Sequence, residues 1–300
     1  MHRFLNLLIA GALLKSMLLV PHPALAQQWR PVRGGILFGI SGMALVKQQS
    51  HQMDFLIVHD NKGKDEGRLG LITIKGEAQP EYVALTWPSN VELPSDLEAI
   101  ASIPGTLNAF MALTSSGKVY HIRFNSNKTI SVLKVFTLPG ITAQTNLEGF
   151  TLQEIDGNLL AVWAHRGAGA EAATIYWGKL NLNNYQINQT SSANLKVPLP
   201  TGANVRHISD LKLDKAGILF IASASDPGSD GPFESAVYAA GYFGVRGNAI
   251  AFRPNLDLVP LYHYHYHKIE AIELIPGAAG GVIFGSDDEN MGSSVNFANR

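Results

Sequence analysis

The chain has no cysteine among its 300 residues. That excludes disulfides, thiolate metal ligands and cysteine nucleophiles, so packing and hydrogen bonding alone must hold the fold. Charge is scarce as well: Asp, Glu, Lys and Arg make up 16% of the chain and the net charge is -1. Without a basic excess there is nothing to neutralise a phosphate backbone, which argues against a nucleic-acid partner. Long helical periodicity is missing beyond the first residues. Familiar catalytic signatures are missing too: there is no G-x-S-x-G elbow, no H-E-x-x-H pair and no phosphate-cradling P-loop. The glycine pairs Gly34-Gly35 and Gly280-Gly281 read as turn residues. What is present is 46% hydrophobic residues with 29 Gly and 15 Pro, the composition of a compact, turn-rich β protein.

The first residues read as an export leader. His2 and Arg3 precede an apolar stretch over residues 4–20, interrupted by Lys15. Pro21 and Pro23 then stop any helix before Ala24-Leu25-Ala26, a small-x-small cleavage pattern. The expectation is a leader over 1–26 and one mature domain over 27–300. It would be periplasmic or secreted, with no membrane span kept after cleavage, and a monomer. An uncleaved anchor is the alternative, but the apolar run is short and carries a lysine.

The mature part repeats itself. A phrase of aliphatic, Glu or Ser, small or acidic, apolar recurs as Ile40-Ser41-Gly42-Met43, Leu97-Glu98-Ala99-Ile100, Leu147-Glu148-Gly149-Phe150, Ile208-Ser209-Asp210-Leu211 and Ile269-Glu270-Ala271-Ile272. An apolar run follows most of these, over 55–58, 110–113, 159–162, 218–221 and 282–284. A period of roughly 50–60 residues, each unit holding several short strands, is the pattern of a β-propeller. The expected fold is therefore all-β, with five blades. A sixth short blade within 235–262 is the alternative count. In the second unit the strands are predicted at 97–103, 109–114, 118–124 and 129–138. In the third they are predicted at 147–153, 158–163 and 174–180, with a last strand near 195–199. The final repeat stops early while residues 29–39 precede the first repeat with nothing to pair with. The N-terminal segment is thus expected to complete the last blade and close the ring, removing open sheet edges.

In four-stranded blades the loops leading into the inner strands share one face with the loops between second and third strands. Mapping the repeats puts His59, His165, Arg166, Arg206 and His207 on that face, where loops on a rigid frame carry function. These five are candidates for proton transfer and anion binding. Glu98, Glu148 and Glu270 occupy equivalent positions near the axis. One reading is structural, each carboxylate accepting hydrogen bonds from the next blade. The other is a hard cation such as Ca²⁺, because converging carboxylates repel unless protonated or neutralised. Asp287 and Asp288, in an acidic turn after an apolar strand, are further candidates for Ca²⁺. The run His263-Tyr264-His265-Tyr266-His267, if extended, puts three imidazoles on one side. That spacing suits a transition metal; packing of the rings over the rim is the other reading. Residues 223–247, rich in Gly, Asp and Ala, read as the longest connection and a candidate lid.

The phrases Asp96-Leu97-Glu98-Ala99-Ile100-Ala101, Asn146-Leu147-Glu148-Gly149-Phe150 and Lys268-Ile269-Glu270-Ala271-Ile272, with the acidic turn Asp287-Asp288-Glu289-Asn290, resemble the phytase-like β-propellers. They are similar in particular to the bacterial group described as having esterase-like activity of phytase. The resemblance implies a secreted propeller with Ca²⁺ and an ester or phosphate-ester substrate. Its departures are two Ser in place of Glu at the repeat position and a thinner set of acidic ligands. On this basis the expected function is a Ca²⁺-dependent ester or phosphate-ester hydrolase acting on a small anionic ester. The alternative is a non-catalytic propeller that binds a glycan or an envelope protein on the same rim.

Overall fold

The computed structural model describes residues 29–277 and 280–298. The leader expected over 1–26 lies outside them. The strands run in chain order as follows. After β1 (Arg30–Arg33) and a short 3-10 turn at Ile36–Phe38 come β2 (Gly42–Gln49), β3 (Gln52–Val58), β4 (Leu69–Lys75) and β5 (Glu81–Leu85). The next four are β6 (Leu97–Ser102), β7 (Ala109–Thr114), β8 (Lys118–Phe124) and β9 (Ile130–Thr137), then β10 (Leu147–Ile155), β11 (Asn158–His165), β12 (Ala173–Asn181) and β13 (Gln186–Leu195). The chain ends with β14 (Val205–Leu213), β15 (Ile218–Ser225), β16 (Glu234–Arg246), β17 (Ala249–Pro254), β18 (Tyr262–His265), β19 (Ile269–Leu274), β20 (Val282–Ser286) and β21 (Ser293–Ala298).

These strands form five antiparallel sheets, the blades of a propeller. Four read straight along the chain; in the fifth the order is β1-β21-β20-β19, so the N-terminal strand closes the ring. The sixth blade is excluded because residues 235–262 supply outer strands of the fourth blade. The long strand β16 accounts for this: its first residues pair with β18 and its last with β17. The expected lid over 223–247 shrinks to residues 226–233 for the same reason. Among the described residues no helix is long and apolar enough to cross a membrane.

Burial follows position in the blade. Inner and second strands are buried on both faces, so β7 reads as a nearly unbroken apolar run. Outer strands are half wet; β13 buries only its last residue. The expected last strand of that blade, near 195–199, is therefore displaced to Gln186–Leu195, a polar segment without apolar alternation. The core is divided among the seams between blades, one apolar cluster at each. Tight turns use residues that tolerate positive φ: Asp156 (φ 51°) and Gly157 (φ 69°) link β10 to β11 as a two-residue hairpin.

The hub is closed by a lysine. Lys212 on β14 reaches across to donate to the carbonyls of Met43 on β2 and Ile100 on β6, both at 2.8 Å, and pairs with Glu273 on β19 at 3.0 Å. Burial raises the Glu273 carboxyl, and Lys212 opposes that shift. A cavity of about 610 Å³ opens below it, where the inner strands end, lined by Thr151, Gln153, Lys212, Glu273 and Pro276 among others.

Candidate functional site at the propeller axis

The repeated phrase is the sequence of a β-bulge. Pairing between β6 and β7 skips from Leu97 to Ala99, between β10 and β11 from Leu147 to Gly149, and between β19 and β20 from Ile269 to Ala271. The skipped residue is Glu98, Glu148 or Glu270. A bulge re-aims its extra side chain, and here all three glutamates leave the ladder. The residue after each glutamate is small because the next blade is close. A Cβ on Gly149 would lie 2.7 Å from Leu211, and at the equivalent position after Ser41 one on Gly42 would lie 2.8 Å from the Ala99 backbone. In the fourth blade the gap widens, with no ladder partner between Arg206 and Asp210.

Arg206 borders that gap. Its Nη1 donates to Glu270 Oε1 at 2.8 Å and lies 3.6 Å from Glu148 Oε1, while Nη2 bonds Asp226. Arg166 donates to the same Glu148 oxygen at 3.0 Å. Lys268, wholly buried, sits 3.3 Å from Glu270 and 3.5 Å from Asp287 and bonds Glu289. Burial works against both cations, yet Glu148 and Glu270 raise the Arg206 pKa, and Glu270 and Asp287 raise that of Lys268. Sequence reasoning placed Arg166 and Arg206 on this face but gave no role to Lys268. Its signal was position: it immediately precedes a repeat phrase.

Acids still outnumber bases. Glu98 has no hydrogen bond or ion pair among the described residues, and its burial, then the charge of Glu148, push its carboxyl well above the usual range. Asp60, half-buried at the same face, is pushed up to about 6 by burial and by Asp287. Glu148 Oε2 is buried without a partner. Asp96, with a positive φ of 66°, pairs with Lys62 at 3.0 Å and accepts from Ser115 at 2.5 Å.

This bears on the expected Ca²⁺ ligands. Glu270 and Asp287 are engaged with Arg206 and Lys268. Asp288 accepts from His267 at 2.7 Å, Ser286 at 2.8 Å and the Lys268 amide at 2.9 Å. Asp60, Glu98 and Glu148 Oε2 keep oxygens without a hydrogen-bond or ion-pair partner among the described residues, but no three carboxylates at the axis bring ligand atoms within 4.8 Å of one another, so the residues here do not fit a single Ca²⁺ ion.

Three of the expected proton-transfer histidines are held elsewhere. His59 Nδ1 is 2.6 Å from the Gly39 carbonyl and Nε2 is 3.2 Å from the Tyr82 hydroxyl; burial lowers its pKa. His207 donates from Nε2 to Gly169 at 3.0 Å and faces the Val197 amide at 3.4 Å. His165 contacts the Asn146 amide at 3.0 Å and Glu171 at 3.5 Å. Each brace joins segments far apart in sequence, and the two rings of His59 and His207 are buried.

The histidine run is divided. His263 and His265 stand side by side on β18, ring centroids 4.7 Å apart, while Tyr264 packs inward. Tyr266, at φ 70°, ends the extended stretch. His267 consequently turns away from the other two, bonding Asp288 and stacking on Trp29 at 4.1 Å. The expected trio on one side is thus a pair.

No protein-family profile matches the chain, and no curated protein matches it. Solved structures do. A GH43 endo-arabinanase from Bacillus licheniformis aligns over 89% of this chain and 96% of its own, with TM-score 0.51 and 11% identity. An alpha-L-arabinofuranosidase from Podospora anserina, solved with cellotriose, aligns over 91% and 98% with TM-score 0.51 and 9% identity. This chain is a five-bladed β-propeller. At such identities the similarity is one of fold, shared with glycoside hydrolases; membership of the phytase-like group is not established by it.

Proposed function

We propose that the chain is a hydrolase, working outside the cytoplasm after loss of residues 1–26, with its reaction centre among the bulged glutamates. The observation that carries this reading is the contrast between Glu98 and Glu148. The first has no ion-pair partner among the described residues, only the more distant fields of Lys62 and Arg206, and has its pKa pushed up by burial and by Glu148; the second faces two guanidinium groups. A carboxyl without an ion-pair partner beside one held by guanidinium groups is the kind of pairing that acid-assisted cleavage of a C–O bond uses. Glu98 donates a proton to the leaving oxygen, and Glu148 supplies the negative charge that activates water or stabilises the developing cation. Arg166, the more exposed arginine, and Lys62 at the mouth hold substrate oxygens.

The excess of acids around the axis repels a polyanion and accepts hydroxyl donors, so a neutral glycoside or carboxylic ester of a carbohydrate fits better than phytate. The glycan chemistry named for the two aligned propellers agrees with that choice. The phosphate-ester reading needs Ca²⁺ to neutralise substrate charge and polarise the ester, and the axial carboxylates do not converge to hold one. Turnover of p-nitrophenyl arabinofuranoside, acetate, phosphate and of phytate, with Ca²⁺ or EDTA, separates these readings. Glycoside or acetate cleavage without added metal, lost by about 10²-fold or more in Glu98→Gln and Glu148→Gln, is expected. Phosphatase activity dependent on Ca²⁺ would establish the phytase-like reading instead. No turnover on any substrate leaves a binding propeller.

A further inference from the structure

Away from the axis, on the outer part of the fourth blade, three potential ligand atoms converge. Strand β18 runs antiparallel to the start of β16, with Glu234 opposite His265 and Ala236 opposite His263. Directly opposed side chains and those two residues along share one face of such a ladder. Glu234, His263 and His265 therefore project together, with one ligand atom from each within 4.8 Å of the others. Glu234 Oε1 is 2.6 Å from His263 Nε2. The two imidazoles are exposed, so solvent and ions reach them, while the backbone beneath them is fixed by the ladder.

We propose that Glu234, His263 and His265 form a binding site for a divalent transition metal of the Zn²⁺, Cu²⁺ or Ni²⁺ type. Two neutral imidazoles and one carboxylate suit these ions and discriminate against Ca²⁺ and Mg²⁺, which take oxygen. A tetrahedral ion with bonds of about 2.0–2.1 Å needs ligand atoms about 3.3 Å apart. The ligand atoms already lie within 4.8 Å of one another, and on binding the carboxylate moves from the His263 nitrogen to the metal. Three protein ligands leave a fourth position for water, so the site exchanges its ion readily. Bound metal clips β18 to β16. Since β18 is the last strand before the chain crosses into the fifth blade, the clip stiffens the seam beside Trp29 and the closing strand. His267 is excluded from the site, because it is committed to Asp288 and Trp29.

The test is calorimetric titration of tag-free mature protein, stripped with EDTA and then dialysed, with ZnCl₂, CuCl₂ and CaCl₂. Saturable one-to-one uptake of Zn²⁺ and of Cu²⁺, tighter for Cu²⁺ and undiminished by excess Ca²⁺, is expected. At a hundredfold excess over Kd, Zn²⁺ should raise Tm by about 5 °C. His265→Ala and Glu234→Gln should each weaken binding by about tenfold or more, while His267→Ala leaves it unchanged. Both His263 and His265 are exposed, so the alanine variant retains its fold, which far-UV circular dichroism verifies. Absence of saturable uptake, or full affinity in His265→Ala or Glu234→Gln, overturns the assignment.

Discussion

Arg206→Met removes the guanidinium that Glu148, Glu270 and Asp226 share, and its effect can be worked out from their burial. The two glutamate side chains are 2% exposed and that of Arg206 is 18% exposed. Removing one partner of a buried ion pair costs ~3–5 kcal/mol. Glu148 keeps Arg166 and Glu270 keeps Lys268, which places the loss at the low end, about 3 kcal/mol. For a chain of this size that is a Tm decrease of roughly 6–12 °C at neutral pH. The pH dependence has a definite sign. Burial already holds the Glu270 carboxyl above its usual range, with Lys268 and Arg206 pulling it down; loss of Arg206 raises it further. A carboxyl with a raised folded pKa contributes full stability below its unfolded pKa of ~4.3 and loses it as pH rises through the folded value. The deficit of the variant is therefore largest at pH 7.5 and shrinks toward pH 5. Adding Glu270→Gln to the variant should restore part of the loss at pH 7.5. Scanning calorimetry at pH 5, 6 and 7.5 measures all of this. A deficit that is the same at each pH, or a double variant no more stable than the single one, would refute the account of the cluster.

Three further outcomes are expected. Deleting residues 29–39 removes β1 and the Gly39 carbonyl that holds His59, reopens a sheet edge, and should lower Tm by ten degrees or so; unchanged melting would mean that the last blade closes without its N-terminal strand. Gly39→Ala places a Cβ 2.2 Å from Asp287 Oδ1, so it should cost about 1–3 kcal/mol in urea unfolding, whereas Gly76→Ala, whose Cβ would meet open space at φ 52°, reports backbone strain alone. Asp60→Asn should stabilise the protein at pH 7.5 by up to about 2 kcal/mol and by almost nothing at pH 4, because its carboxyl, pushed up to about 6 by burial, is protonated there in the wild type; a gain that persists unchanged at pH 4 contradicts the shift.

The ring, its five repeats and its closure were legible because they rest on patterns in the chain itself. Strands β6 to β9 match their predicted spans within two residues, since apolar runs there end at turn formers such as Gly105 and Gly117. Strand β13 was not legible: its outward edge is polar, so Gln186 to Leu195 shows no alternation. The axial glutamates were visible as a repeated phrase, but the bulge that turns them out of the ladder depends on register, which the phrase does not encode. His59 and His207 looked like surface groups of the rim. Their acceptors, the Gly39 and Gly169 carbonyls, lie far away in sequence, and only the fold brings them within reach. Lys212 was missed because a single lysine between Leu211 and Leu213 has no local signature; its meaning is set by carbonyls contributed from two other blades.

That lysine also constrains the order in which the molecule can be made. Its acceptors at Met43 and Ile100 exist once the first two blades have emerged, but Glu273 belongs to the last. Until then a growing chain that compacts early must either leave the ammonium wet or bury it without its carboxylate, and burial without the carboxylate is unfavourable. The rim imposes the same delay, because β1 is synthesised first and waits for β21. Hub and rim are therefore completed by the same late segment, and contacts this distant in sequence form slowly. A chain interrupted before residue 273 can finish neither closure, so partial products keep an open ring and an unpaired sheet edge.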